Sequence, residues 1–182
     1  MKIHFRNTVF TLALIFGTAT YAAEVVPAVE NMEVRLQSLS EDYTAWGGYS
    51  SGKMKISKGE VKGEIRFDID FGESKSRWAS PGFAFRYAKE KISGTIGMEF
   101  EIKINGNASD VKWPLIYFYG TGKPVTEQFA PPSDKWEVRK IVFKRLMNPS
   151  TVQSFSISLT SNAPTLSFSI RNIKFYYPKQ GM

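Results

Sequence analysis

Thr165–Tyr177 reads TLSFSIRNIKFYY, and its apolar residues change phase half-way along. Leu166, Phe168 and Ile170 hold even positions, and then Ile173, Phe175 and Tyr177 hold odd ones. Each half alternates with period two, the pattern of a β-strand with one buried face. The slip falls at Arg171–Asn172. Unless an extra residue is absorbed there, the second half turns its apolar set to the wrong face. The stretch therefore predicts one long, bulged strand lying across the core. Such a strand is integral to the fold. Truncation before Thr165 is expected to abolish folding, and loss of Lys179–Met182 alone to be tolerated.

Working back from it, Val152–Leu159 and Trp136–Leu146 read as two further strands split by Asn148-Pro149; in the former, Phe155, Ile157 and Leu159 alternate with Ser154, Ser156 and Ser158. Val111–Tyr119 is apolar on both faces, which predicts a central or groove-lining strand, with Pro114 marking an edge position or a bulge. Thr95–Ile104 and Val61–Phe71 alternate cleanly, the latter with Val61, Ile65, Phe67, Ile69 and Phe71 inward. Gly82–Ala88, Lys53–Ser57 and Met32–Leu39 complete the strands. Ser40–Gly52, with Trp46, and Gly72–Pro81, with Trp78, read as polar loops, and Gly120–Lys135 as a long one. After the first residues no segment shows a helical period. About nine strands between turn signals predict an all-β sandwich or barrel in one domain.

The N-terminus reads as a targeting segment. Lys2 and Arg6 precede an apolar run, Thr8–Thr20, too short to span a bilayer, and Tyr21-Ala22 closes it with a small residue at the cleavage position. Residues 1–22 are thus expected to be a removed signal peptide. Residues 23–182 would form the single domain, secreted or periplasmic, with no membrane insertion. Cleavage removes two cations and no acid, taking the net charge from +7 to +5. The remaining charge is spread along the chain without a Lys/Arg block, so no nucleic-acid partner is expected. The chain has no Cys, and its one His, His4, leaves with the signal peptide. That excludes Cys nucleophiles, Ser-His-Asp triads and zinc or copper sites built on imidazole or thiolate.

The second half carries an order of motifs: a proline loop into a Trp-started strand, PPSDKWEVRKIVFKRL, then a serine-alternating strand, SFSISLTS, then SIRNIKFYY. Upstream, GGYSSGKMKI and PGFAFRY look like a Gly-Gly-loop strand and a Gly-Phe strand. Over residues 43–177 this resembles the galactose-binding-like jelly rolls, particularly extracellular carbohydrate-binding modules and the complex I intermediate-associated family. The resemblance implies a jelly-roll β-sandwich of two antiparallel sheets, with ligand on a concave sheet face or in loops at one end. Many members also hold a structural Ca²⁺, but no residue pattern here identifies such a site, and no other cofactor is expected.

A glycan-binding surface needs exposed aromatic planes for the apolar face of a sugar ring, with polar groups beside them for its hydroxyls. Trp46 and Tyr49 in one loop, Trp78 in a second, and Trp113 and Tyr119 in one strand phase are the candidate ligand-binding residues. The expected function is a non-catalytic carbohydrate-binding protein whose partner is a glycan or glycoconjugate. A secreted protein–protein interaction or structural module is the alternative. A third class rests on Asp68, Asp70 and Glu73, whose Asp-x-Asp-x-x-Glu spacing resembles the carboxylate motif of laminarinase-type jelly-roll glycoside hydrolases. There the first position is Glu, the chains are longer and aromatic residues surround the motif. The same acids suit Ca²⁺, or a plain solvated strand end.

Overall fold

The computed structural model describes residues 32–36, 46–84, 97–119, 124–142 and 154–178. It is an all-β, jelly-roll-like sandwich of two antiparallel sheets. In chain order the strands are β1 Met32–Leu36, β2 Trp46–Ser50, β3 Lys53–Lys58, β4 Ile65–Asp70, β5 Trp78–Ala84, β6 Gly97–Ile104, β7 Val111–Tyr119, β8 Val125–Gln128, β9 Glu137–Val142, β10 Ser154–Ser161 and β11 Thr165–Pro178. One sheet runs β3-β4-β11-β6-β9, with β1 also paired to β11; the other runs β2-β5-β10-β7-β8. No helix among the described residues is long and apolar enough to cross a membrane.

β11 is one unbroken strand of 14 residues. β6 lines one side of it, while β4 and then β1 line the other. The register against β6 shifts as predicted. Arg171 faces Glu101, but Lys174 faces Glu99, so three steps on β11 match two on β6. Asn172 takes up the extra residue with φ 52°, a left-handed conformation that Asn tolerates better than most side chains. Ile170 and Ile173 are in consequence both buried, although they lie an odd number of residues apart.

The core between the sheets is largely aromatic. Phe67 stacks on Phe168 at 4.9 Å within the six-stranded sheet, and Phe155 of the other sheet meets Phe175 across the interior at 6.1 Å. Burial of such side chains contributes roughly 1.5–3 kcal/mol each.

Several sequence expectations are corrected. Eleven strands are described rather than about nine. The WGGYS stretch, expected to be loop, is β2; its glycines hide the alternation. Gly48 has φ 127°, and a Cβ there would meet the Ser80 carbonyl oxygen at 2.4 Å, so the strand needs glycine. Trp78 opens β5 instead of sitting in a loop, and the proline-rich Gly120–Lys135 stretch contains β8. Val61 is exposed because β4 starts only at Ile65. The turn before β4 is held by buried Glu64, whose Oε2 accepts from the backbone N–H groups of Glu60 and Val61. The predicted signal peptide lies outside the described residues.

Candidate functional site

Registers place four of the five predicted contact residues at the outward side of the five-stranded sheet. In β10, Phe155, Ile157 and Leu159 point into the core, so Ser154, Ser156, Ser158 and Thr160 point out. Partners directly opposite on neighbouring strands share a face. Ser156 lies between Gly82 and Tyr117, and Gly82 in turn faces Gly47. Ser154 faces Tyr119, and Thr160 lies between Trp78 and Lys112. Tyr49 faces Ser80, whose hydroxyl donates to Ser156 Oγ at 2.9 Å.

The result is a low floor with raised sides. Gly47 and Gly82 carry no side chain, and a Cβ on Gly82 would crowd the Phe155 carbonyl oxygen at 2.8 Å. Serines continue the floor along β10. On one side stands Tyr49, 79% exposed; on the other stand Tyr119, 38% exposed, and the half-buried Tyr117, their rings stacked at 6.0 Å and 14°. β2 and β7 are separated by two intervening strands, which puts these sides roughly 14 Å apart.

Trp113 is set by a second bulge. Ser158 faces Leu115 and Thr160 faces Lys112, so β7 carries one residue more than β10 across that interval. The expectation that Pro114 marks an edge or a bulge resolves to a bulge, since β7 lies inside the sheet. Trp113 has φ 49° and is 69% exposed, whereas Pro114 beside it is buried. A bulky residue held in the left-handed region costs about 1–2 kcal/mol, and such strain collects at functional sites.

Trp46 is a correction. It is 6% exposed, with Phe67, Phe83 and Phe155 edge-on at 5.4–5.6 Å. Its ring faces inward because it pairs with inward-facing Phe83, so no ligand can stack on it. Trp78 is half-buried, and its main chain is tied to Ser51: the Ser51 N–H donates to the Trp78 carbonyl at 2.9 Å, and the Trp78 N–H donates to Ser51 Oγ at 3.0 Å.

The outward face of the other sheet is built differently. Arg171 Nε donates to Glu101 Oε2 at 2.7 Å and Lys174 Nζ to Glu99 Oε1 at 2.9 Å. Asn172 Nδ2 reaches Glu101 Oε1 at 2.6 Å, and the Tyr176 hydroxyl reaches Glu99 Oε2 at 2.5 Å. Burial pushes both carboxyls up. The hydrogen bonds from Tyr176 and Lys174 on Glu99, and from Asn172 and Arg171 on Glu101, outweigh it together with the nearby positive charges and hold both below the ordinary value. Burial, then the bond to Glu99, drives the Tyr176 hydroxyl upward. Trp136 lies under the Arg171 guanidinium at 4.1 Å.

The acidic trio lies at one end of this charged face. Asp68 accepts from Arg66 Nε at 3.0 Å and from Ser167 Oγ at 2.6 Å. Asp70 accepts from the Gly72 N–H at 2.9 Å, and Glu73 is exposed beyond it. A hollow of about 510 Å³ here is lined by Lys53, Lys55, Asp68, Asp70 and Ser167 among others, with no aromatic ring. Among the described residues, no group of three or more His, Cys, Asp or Glu side chains gathers to hold a metal ion.

No protein-family model matches the sequence, and no curated protein matches it. Solved structures do match in fold. The family 11 carbohydrate-binding module of a cellulosomal cellulase of Clostridium thermocellum has a TM-score of 0.55 at 17% identity, covering 79% of this chain and 94% of its own. A family 11 module from the same organism, in complex with a β-1,3-1,4-mixed-linked tetrasaccharide, gives 0.55 at 16% identity over 80% and 96%. An arabinose-bound α-L-arabinofuranosidase gives 0.54 at 12% identity over 79% of this chain and 26% of its own. The fold is therefore one found in carbohydrate-binding modules; likeness at this identity extends to the fold alone.

Proposed function

We propose that the chain is an exported, non-catalytic glycan-binding protein, with its ligand lying across the outward face of the five-stranded sheet. The observation that carries this is the Gly/Ser floor flanked by Tyr49 on one side and Tyr117 and Tyr119 on the other, with Trp113 exposed on the bulge of β7. Exposed rings on a monomer's surface lose apolar contact with nothing in return, unless a partner covers them. A sugar suits them because its C–H face packs on the ring while its hydroxyls meet the serines. The width between the sides fits an oligosaccharide better than a single sugar. The same fold in a module holding a tetrasaccharide supports the ligand class.

A hydrolytic role at Asp68, Asp70 and Glu73 has less behind it. Asp68 is occupied by Arg66 and Ser167, and the hollow beside it offers no ring for a sugar.

Affinity electrophoresis through gels containing soluble polysaccharides, neutral and acidic, tests the proposal. The wild type should be retarded by at least one, and Tyr49→Ala and Trp113→Ala should each run closer to the unretarded position. Free migration of the folded wild type in every gel would sink it.

A further inference from the structure

Resting on the glycan reading of this face, we infer that the ligand is an acidic polysaccharide carrying carboxylates, a uronate chain, and that Lys112 selects it. Lys112 is exposed in the same cross-strand row as Thr160 and Trp78, immediately before Trp113. Among the described residues it makes no ion pair: the acids of the charged sheet are engaged by Arg66, Arg171 and Lys174 on the far side of the sandwich. Its carbonyl oxygen accepts from Thr160 Oγ1 at 2.8 Å, so the backbone beneath the ammonium is pinned to β10.

The rest of the face explains why the ligand should supply the negative charge. A neutral sugar presents neighbouring hydroxyls, which are gripped best by planar groups with two polar atoms, such as carboxylate, amide or guanidinium. Among the described residues this face carries no carboxylate and no guanidinium. Its planar amide, Gln128, sits on the outermost strand, opposite Leu115. Glu127 pairs with inward-facing Ile116, and Asp110 belongs to the 3-10 turn before β7. Ser80 and Thr160 already donate to Ser156 Oγ and to the Lys112 carbonyl, so the half-buried Ser154 and Ser158 are the floor hydroxyls left to donate to a carboxylate oxygen. A cation at one end, donors along the floor and rings at the sides together complement a chain bearing both apolar ring faces and anionic groups.

The test is the affinity of the full chain for polygalacturonate against a neutral mixed-linked β-glucan, measured by retardation or calorimetry. The wild type should prefer polygalacturonate. Lys112→Ala should weaken that binding about fivefold, as expected for loss of one exposed charge contact, and Lys112→Arg should retain it. Lys53→Ala, on the opposite sheet, is the charge-matched control and should bind like the wild type. A melting temperature unchanged in Lys112→Ala keeps the comparison valid. Equal losses in Lys112→Ala and Lys53→Ala would reduce the effect to overall positive charge and overturn the inference. Binding of the neutral glucan as tightly as the acidic chain would overturn it too, while leaving the glycan site standing. Failure of both polysaccharides to bind would remove the site together with its selectivity.

Discussion

On the outward face of the six-stranded sheet, charges are met by neighbours: Glu101 by Arg171 and Asn172, Glu99 by Lys174 and Tyr176, Asp68 by Arg66 and Ser167. The outward face of the five-stranded sheet has the same pleat and the same alternation, but carries hydroxyls, glycines and exposed rings. The first arrangement satisfies its polar groups internally and leaves little for a ligand to gain. The second leaves the rings of Tyr49, Trp113 and Tyr119 open to water. Even the two bulges follow this division. The left-handed residue of one is Asn172, which bonds Glu101 and serves the fold; that of the other is Trp113, a residue poorly suited to its backbone and exposed to solvent.

The largest effect separates two tryptophans. Trp46→Ala should destabilise the fold by about 3–5 kcal/mol in urea unfolding, because it empties the space among Phe67, Phe83 and Phe155. Trp113→Ala should stay within about 0.5 kcal/mol of the wild type and lose polysaccharide retardation. If Trp113→Ala costs as much stability as Trp46→Ala, or leaves retardation intact, the contrast between the faces is wrong.

Next comes the charged face. Glu99→Gln should cost about 1–2 kcal/mol by removing the charged acceptor of Lys174 and Tyr176, with glycan binding unchanged. Its pH dependence has a definite sign. Glu99 and Glu101 titrate below the ordinary value of 4.5 in the fold, so their stabilisation is present above that value and is lost as pH falls through the lowered folded-state values. Tyr176 titrates above its ordinary 10.0, so its contribution is present below 10.0 and is lost as pH rises further. Urea midpoints measured from neutral pH downward should fall less steeply in Glu99→Gln. An unchanged acid slope would show that the pair contributes nothing to folding.

The bulges come last, and the smallest change is the one at Trp113. Asn172→Val should cost about 1–2 kcal/mol, because a β-branched residue resists φ 52°. Trp113→Gly should leave stability equal to the wild type or about 0.5 kcal/mol above it, since relief of the left-handed strain offsets the added chain entropy, while binding falls. Thermal unfolding beside affinity electrophoresis reads both quantities on one sample.

The long bulged strand was legible because both halves of TLSFSIRNIKFYY alternate strictly over one buried face, so a phase slip had a single structural remedy. Pro114 was legible for a related reason: a proline in an apolar strand must avoid a ladder position. β2 was not, since WGGYS has no alternation, and Gly48 answers to contacts with Ser80 and Pro81 that only pairing with β5 creates. For the same reason the direction of Trp46 was missed. An aromatic beside glycines looks exposed until its partner strand is known. The sequence groups Tyr49 with Trp46 in one loop and Tyr119 with Trp113 in one strand; that Tyr49 and Tyr119 flank one floor follows from the order β2-β5-β10-β7-β8, which no local pattern encodes. Lys112 gave no signal at all, because a lysine in VKWPL is an ordinary strand charge until the acids prove to lie on the other sheet.

β11 also dictates when the protein can fold. It is hydrogen-bonded to β4, β6 and β1, so the strands on either side of it have no centre to zip onto until residues 165–178 are available. β3 can pair with β4, β9 with β6, and the five-stranded sheet within itself, but the six-stranded sheet closes only with this last described strand. Assembly dominated by such distant pairings belongs to the slow class, milliseconds to seconds. During that interval the alternating β4 and β6 segments are the stretches most in need of protection from self-association.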